Sequence, residues 1–130
     1  MRNVILMLLL AVVSTSAMAQ WVKAGGNDET TAYADPNTYR GLGDKVNLCI
    51  MFDNNKPRFL MNGNKPYLST KIQNEFDCKK EQSRKLVIDI YSENMGSGNV
   101  IVSDSEIEEW SPVAPNSVMN QVFNYACGKR

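Results

Sequence analysis

Histidine is absent from the 130 residues of this sequence. It is the commonest general base in enzymes, a frequent metal ligand and the side chain whose charge usually changes near neutral pH. Nothing else in the sequence replaces it: Ser97 has no base to activate it, and the acidic residues of 104–109 are best explained as a solvated connection. The sequence therefore predicts a protein that is not an enzyme and that holds no metal or other cofactor.

Neither sign of charge predominates, because 14 lysines and arginines balance 14 aspartates and glutamates. Nucleic acids and anionic membranes are bound mainly through dense positive charge, which a nearly neutral surface does not supply. We therefore predict a protein partner and no nucleic acid.

The apolar run near the start is too short to cross a membrane. It occupies residues 4–13, about ten residues where a span needs roughly twenty. An arginine precedes it, and a small-x-small motif follows at residues 17–19, which is the order of a secretory signal peptide. We predict a signal peptide at residues 1–19, one domain at residues 20–130 and no membrane insertion after cleavage. We predict an exported protein of a Gram-negative bacterium that is periplasmic, held at the cell surface or secreted.

Cysteine is scarce, with only Cys49, Cys78 and Cys127. In an exported chain three cysteines favour one disulfide and one free thiol, and any of the three pairings is compatible with the count. Cys49 lies within the alternating segment 45–53, where a cysteine is more often an apolar filler than half of a bridge. Cys78 follows a polar run at a strand end. We therefore favour a bridge between Cys78 and Cys127, and we expect Cys49 in the core or at an interface.

Strand-like segments make up most of the predicted domain, and a helix ends it. The strands are predicted at residues 21–24, 31–35, 45–53, 67–77, 85–91 and 99–104, with turns at 25–28, 35–37 and 94–98, a long loop at 54–65 and a charged turn at 79–84.

The segment 115–130 carries apolar residues at i, i+3 and i+4, with Asn116 or Ser117 as N-cap and Gly128 as terminator. The predicted fold is α+β: about six antiparallel strands in one sheet, with the C-terminal helix packed on one face and tied by the disulfide. Trp21 and Trp110 are expected in the core beneath the helix.

Several short motifs occur in a characteristic order along the chain. They are Trp21-Val22, Tyr33-Ala34-Asp35, Tyr39-Arg40, the strand at 45–49, Tyr67-Leu68-Ser69, Asp77-Cys78, the turn at 95–98, Trp110-Ser111-Pro112-Val113 and the helix with Cys127. In this order the chain resembles the surface-adhesin protein E family over nearly all of the predicted domain.

This resemblance implies a small exported domain whose sheet carries a helix stapled through the residues that match Cys78 and Cys127. It also implies adhesion by binding host matrix or plasma proteins such as vitronectin, laminin and plasminogen, and a homodimer is compatible with it. The family's named member resembles a lipoprotein, whereas no cysteine precedes Cys49 here. The alternative is therefore a periplasmic protein-interaction or inhibitor module of the envelope.

The resemblance also points to a binding region around the first bridge cysteine, here residues 67–91. We predict ligand binding through the basic and aromatic side chains of this region, Tyr67, Lys71, Lys79, Lys80, Arg84 and Lys85. Acidic residues in the same region offset their charge, and a charged hairpin end that keeps a strand edge soluble is the competing interpretation.

Overall fold

The computed structural model describes residues 20–61 and 63–128, and the predicted signal peptide lies outside them. The elements are β1 (Val22–Gly26), β2 (Thr30–Leu42), β3 (Lys45–Phe59), β4 (Pro66–Asp77), β5 (Gln82–Tyr91), β6 (Val100–Asp104), β7 (Ser111–Pro112) and α1 (Val118–Cys127). A 3₁₀ turn, Asn94–Gly96, connects β5 to β6.

The strands form one antiparallel sheet in the order β1-β2-β3-β4-β5-β6, and the short β7 pairs with the start of β5. Each strand of the main path therefore lies beside its neighbour in sequence, which is the arrangement that short connections favour. The predicted six-stranded antiparallel sheet with a C-terminal helix is confirmed, and β7 is an addition that the sequence did not predict.

The helix α1 covers one face of the sheet at the β1 and β2 side. Of the two predicted caps, Ser117 is the one used: its hydroxyl accepts the N–H of Asn120 at 3.0 Å. The predicted apolar stripe is buried through Val122, Phe123 and Ala126. The sheet residues that pack with it include Ala32, Ala34, Val46, Leu48, Ile50 and Phe76. α1 packs mainly on β1 and β2 and less on β3 and β4. On the same face Ile72 and Phe76 of β4 are buried, whereas Ile88 of β5 is half-buried.

The disulfide joins Cys78, just after β4, to Cys127, the last residue of α1, with the two Cα atoms 5.6 Å apart. The favoured pairing is therefore confirmed, and Cys49 is the free cysteine. The backbone N–H of Cys78 also donates to the carbonyl of Asp44 at 2.8 Å, which holds the bridge against the β2–β3 turn.

The turn predicted at residues 35–37 lies inside a strand. The pairing of β2 with β3 shifts register between Asp35 and Arg40, and Pro36, which has no N–H for a ladder bond, lies in this bulge. Thr38 replaces the lost pairing, because its hydroxyl accepts the N–H of Cys49 at 2.8 Å and donates to the carbonyl of Asp35 at 2.7 Å. The strand therefore continues to Leu42.

The loop predicted at residues 54–65 is also largely strand. β3 runs to Phe59, and its pairing with β4 resumes at Arg58 after a register shift that contains Pro57. Proline and asparagine predict a loop by composition, but the bulge accommodates Asn54, Asn55 and Pro57 without ending the strand. β5 likewise begins at Gln82, within the predicted charged turn.

The prediction that both tryptophans lie in the core was wrong. Trp21 and Trp110 are half-buried, and neither belongs to the core cluster. The space beneath the helix is filled instead by Phe76 and Phe123.

Candidate binding site

The six predicted ligand-binding residues do not form one surface. Tyr67 lies near the start of β4, whereas Lys79 and Lys80 follow its end, about 33 Å away at roughly 3.3 Å per strand residue. Lys71 alternates with Thr70 and Ile72 along β4, so it lies on the face opposite the helix. A single small ligand could not reach them all.

Arg84 and Lys85 are engaged within the chain. The Arg84 guanidinium lies 2.7 Å from the Glu75 carboxylate and stacks 4.5 Å from the centre of the Trp110 ring. The Lys85 ammonium lies 3.1 Å from the carboxylate of Glu108. These contacts tie β4, β5 and the segment before β7 together, so much of the predicted basic charge serves the fold.

Lys79 and Lys80 are held by their backbones and leave their side chains in solvent. One carboxylate oxygen of Asp77 accepts both backbone N–H groups, from Lys79 at 3.1 Å and from Lys80 at 3.0 Å. The N–H of Lys80 and then that of Lys79 hold the pKa of Asp77 below its usual range, against the opposing effect of burial. The turn beside the disulfide therefore presents two exposed lysines.

A pocket of about 370 Å³ lies at the other end of the sheet, between α1 and the β3–β4 hairpin. We call it the helix-side pocket. Its apolar lining comes from Phe52, Ile88, Ile90 and Val118. Ile90 is buried, and the other three side chains are half-buried. The pocket lies where α1 begins, at Val118, and from there the helix packs mainly on β1 and β2.

Polar residues line the same pocket at unusual depth. Thr30, Asn54 and Thr70 are only 8%, 4% and 9% exposed. The Thr30 hydroxyl donates to the Asn54 carboxamide oxygen at 2.7 Å, and Arg58 Nη2 donates to the Thr30 hydroxyl at 3.2 Å. Apolar walls with a few fixed polar groups are typical of ligand sites. Tyr67, one of the predicted residues, also lines this pocket.

Arg58 carries the positive charge of the helix-side pocket. Its guanidinium lies 3.5 Å from the Glu29 carboxylate, and the two side chains are 46% and 73% exposed. An ion pair this long and this exposed contributes little. Arginine presents five N–H donors in a planar fork, and the bonds to Glu29 and Thr30 both use Nη2.

A second pocket of about 340 Å³ continues along α1 toward Arg84 and Lys85. Phe52 lines both pockets, and Met119 follows Val118 along the helix wall. Asn74 lies in this part at 1% exposure, and its carboxamide oxygen has no hydrogen-bond partner among the residues that the structure describes. The two pockets together form an open groove beside the helix.

The β3–β4 hairpin beyond the pocket exposes large apolar side chains. We call residues 55–61 and 63–66 the hairpin end. Phe59 is 61% exposed and Met61 is fully exposed, at 102%. Exposed apolar side chains that lie together mark interaction surfaces, whereas single ones are ordinary. Phe59 and Met61 are two residues apart in the chain.

Cys49 lies away from this surface, half-buried on the opposite face, in a pocket of about 300 Å³ that Arg40 and Gln73 also line. Burial raises the pKa of the Cys49 thiol; Lys71 opposes this shift, and Asp35 and Asp89 add to it. The thiol is therefore protonated near neutral pH, which is the unreactive state.

Sequence reasoning missed most of the helix-side pocket, notably Thr30, Phe52, Asn54 and Arg58. Residues 54–65 were interpreted as a loop, so Asn54 and Arg58 had no predicted place on the sheet. The alternation of apolar and polar residues stops at Phe52, because residues 53–56 are all polar and Pro57 follows them. No sequence signal therefore placed Asn54 and Arg58 on the sheet.

Within the described residues, histidine, cysteine, aspartate and glutamate side chains do not gather in a group of three that could hold a metal ion. In the same part of the chain, no helix has the length and apolar character needed to span a bilayer.

A family model for surface-adhesin protein E matches residues 21–128. The chain belongs to the surface-adhesin protein E family. Membership implies an adhesin-like protein that is exported or exposed at the surface. No curated protein matches the sequence significantly.

Solved structures of Haemophilus influenzae protein E share the fold. One is 12% identical, with a TM-score of 0.61, and the match covers 84% of each chain. A second crystal form is 12% identical, with a TM-score of 0.60, over 83% of this chain and 97% of that one. Protein E from a non-typeable strain is 13% identical, with a TM-score of 0.60, over 88% and 79% of the two chains. TM-scores of 0.60 and 0.61 establish a common fold, and at identities of 12% and 13% the likeness shows the fold alone.

Proposed function

We propose that this chain is an exported, non-enzymatic binding protein of the adhesin type, whose ligand is a host matrix or plasma protein. Vitronectin, laminin and plasminogen are the ligands to test first. Membership in the surface-adhesin protein E family supports the adhesin class. The observation that carries the proposal is the helix-side pocket next to the exposed apolar hairpin end.

This arrangement suits a protein partner. Phe59 and Met61 can bury their apolar surface only against another molecule, because more than half of each side chain is in solvent. Aromatic side chains at the centre of a contact and a nearby arginine are the residues that most often dominate binding energy. The pocket beside them could receive one side chain of the partner.

The test measures saturable binding to the three immobilised host proteins. Replacing Phe59→Ser together with Met61→Ser should weaken the binding about tenfold or more, because the anchors of the contact are lost. Leu42→Ser is the matched control: Leu42 is 86% exposed but is the last residue of β2, at the opposite end of the sheet. It should leave the affinity unchanged.

The predicted basic residues require a second variant. Lys79→Glu with Lys80→Glu reverses two exposed charges beside the disulfide, without altering the backbone donors that hold the turn. If only this variant weakens binding to the host proteins, and the binding depends steeply on salt, the recognition site lies at the end of the sheet that carries the disulfide. Absence of saturable binding to all three host proteins would overturn the proposed ligands.

Location decides between adhesion and the alternative, a periplasmic interaction module. Protease added to intact cells should digest the protein if it is exposed at the surface. Protection that disappears only when the outer membrane is permeabilised would contradict adhesion and favour the periplasmic module.

A further inference from the structure

We propose that the helix-side pocket binds a carboxylate attached to a compact apolar group, with Arg58 as the residue that pairs with the carboxylate. This names a ligand class for the surface described above, so it rests on the proposed function in taking that surface as the recognition site. A C-terminal apolar residue of a peptide and a free medium-chain fatty acid both have this chemistry.

The charge argument starts from Arg58. Its partner in the chain is Glu29, whose side chain is 73% exposed and whose carboxylate lies 3.5 Å from Nη2. A carboxylate already stands where an anionic ligand would stand, but it is held loosely and from the solvent side. A ligand carboxylate could use two donors of the guanidinium fork at once, which is the stronger arrangement.

The apolar argument comes from the lining. Phe52, Ile88, Ile90 and Val118 line a space of about 370 Å³, within the range of small-ligand sites. The buried hydrogen bond from Thr30 to Asn54 fixes polar groups at the same site, and Arg58 Nη2 donates to that Thr30 hydroxyl. The cation is thereby anchored next to the apolar walls, so one ligand can satisfy both.

In this arrangement the Glu29 carboxylate competes with the ligand carboxylate for Arg58. Glu29→Gln removes the competing charge and should tighten carboxylate binding severalfold. Arg58→Gln removes the cation and should weaken it about tenfold or more, as expected for a charged hydrogen bond. Two substitutions at one ion pair are therefore expected to act in opposite directions, which a loss of folding would not produce.

The experiment is isothermal titration of the exported protein with octanoate, with octanol, and with a short peptide ending in leucine as the free acid or as the amide. Octanoate and the free-acid peptide should bind, and octanol and the amide should not. Tighter binding of the peptide acid than of octanoate would identify a chain terminus as the source of the carboxylate, and the reverse order a free acid. Lys56→Gln is the matched control, because it removes an exposed charge two residues from Arg58 on the same strand.

Equal binding of octanol and octanoate, equal losses in Lys56→Gln and Arg58→Gln, or no binding of either acid at millimolar concentration would each overturn the inference. If the acids do not bind while host proteins do, this inference fails and the proposed function stands. If the acids bind and host proteins do not, the pocket assignment stands and the adhesin function fails.

Discussion

Phe76 of β4 and Phe123 of α1 meet edge to face where the helix crosses the sheet, with ring centroids 6.0 Å apart and ring planes at 67°. The disulfide joins the same two parts of the chain a short distance beyond this contact. Cys78 is two residues after Phe76, and Cys127 is four residues after Phe123. Those are the same-face spacings of a strand and a helix. The bridge therefore extends a contact that packing already defines.

Phe123→Ala should destabilise the protein by about 3–5 kcal/mol, because it removes a buried ring and leaves a cavity against Phe76. Urea unfolding measures the change. Asn124→Ala, one residue along on the exposed side of α1, is the control and should stay within about 0.5 kcal/mol. A loss below about 1 kcal/mol in Phe123→Ala would mean that the helix is held mainly by the disulfide.

Replacing both bridge cysteines by serine should cost about 4 kcal/mol on the chain-entropy model, since the bridge closes a sequence separation of 49 residues. That is comparable with the whole stability of a small domain. The unfolding midpoint of the double variant should match that of the reduced wild type. Cys49→Ser, which touches no bridge, should change the midpoint far less.

The fit of α1 on β1 depends on Gly25 and Gln121. The Gln121 carboxamide accepts the N–H of Gly26 at 2.9 Å and donates to its carbonyl at 3.1 Å. A methyl group on Gly25 would lie 2.7 Å from the Gln121 Cβ, so the helix would have to move. Gly25→Ala should therefore cost about 1–3 kcal/mol, and Gln121→Ala about 1 kcal/mol.

Gly63→Ala is the control for that pair. A Cβ there meets its nearest atom at 3.7 Å, an ordinary contact, and the change should stay within about 0.5 kcal/mol. If Gly25→Ala changed the free energy of unfolding in urea as little as Gly63→Ala does, the close packing of α1 against β1 would be contradicted.

The fold could be predicted because its signals are local and redundant. The alternation in β3 and the i, i+3, i+4 stripe of α1 each specify a buried face, and such faces pair in few ways. The bulges at Pro36 and Pro57 could not be predicted, because proline in a sequence normally predicts a turn. A strand can continue past it only where another group replaces the missing ladder bond, as the Thr38 hydroxyl does for the N–H of Cys49.

The candidate site was less predictable than the fold, because local sequence patterns do not determine which strands contribute to it. The helix-side pocket combines Thr30, Phe52, Arg58 and Ile88 from three strands, and its existence depends on where α1 stops covering the sheet. No sequence pattern records that position. The pairing of Arg84 with Glu75 and Trp110 is equally a matter of register, so basic residues that are close in sequence did not form one basic surface.

Cys49 should react slowly with iodoacetamide in the folded protein. Burial raises the pKa of its thiol, so the thiolate fraction at neutral pH is small. The alkylation rate, followed by mass spectrometry, should keep rising beyond the pH at which a free thiol is fully ionised, and should increase in denaturant. Fast modification of the native protein at neutral pH would contradict this assignment.

The ionised carboxylate of Asp77, in the turn beside the disulfide, should make the free energy of unfolding fall as the solution is acidified. The pKa of Asp77 is lowered in the fold chiefly by the backbone N–H of Lys80, so folding favours the charged carboxylate. Its stabilising effect is complete above about pH 5, where the unfolded carboxyl is also ionised, and is lost as the pH falls through the unfolded value and then the lower folded one. Asp77→Asn should therefore be less stable than the wild type at pH 6, with the difference shrinking toward pH 2.

Lys80→Gln separates the two ways in which this residue can act on Asp77. It keeps the backbone donor, which is the largest cause of the lowered pKa, and removes the side-chain charge, which is the smallest. Urea unfolding at a series of pH values should show that Lys80→Gln retains most of the acid dependence of the wild type. Loss of that dependence to the same extent as in Asp77→Asn would mean that charge attraction, rather than the hydrogen-bonded turn, holds the carboxylate ionised.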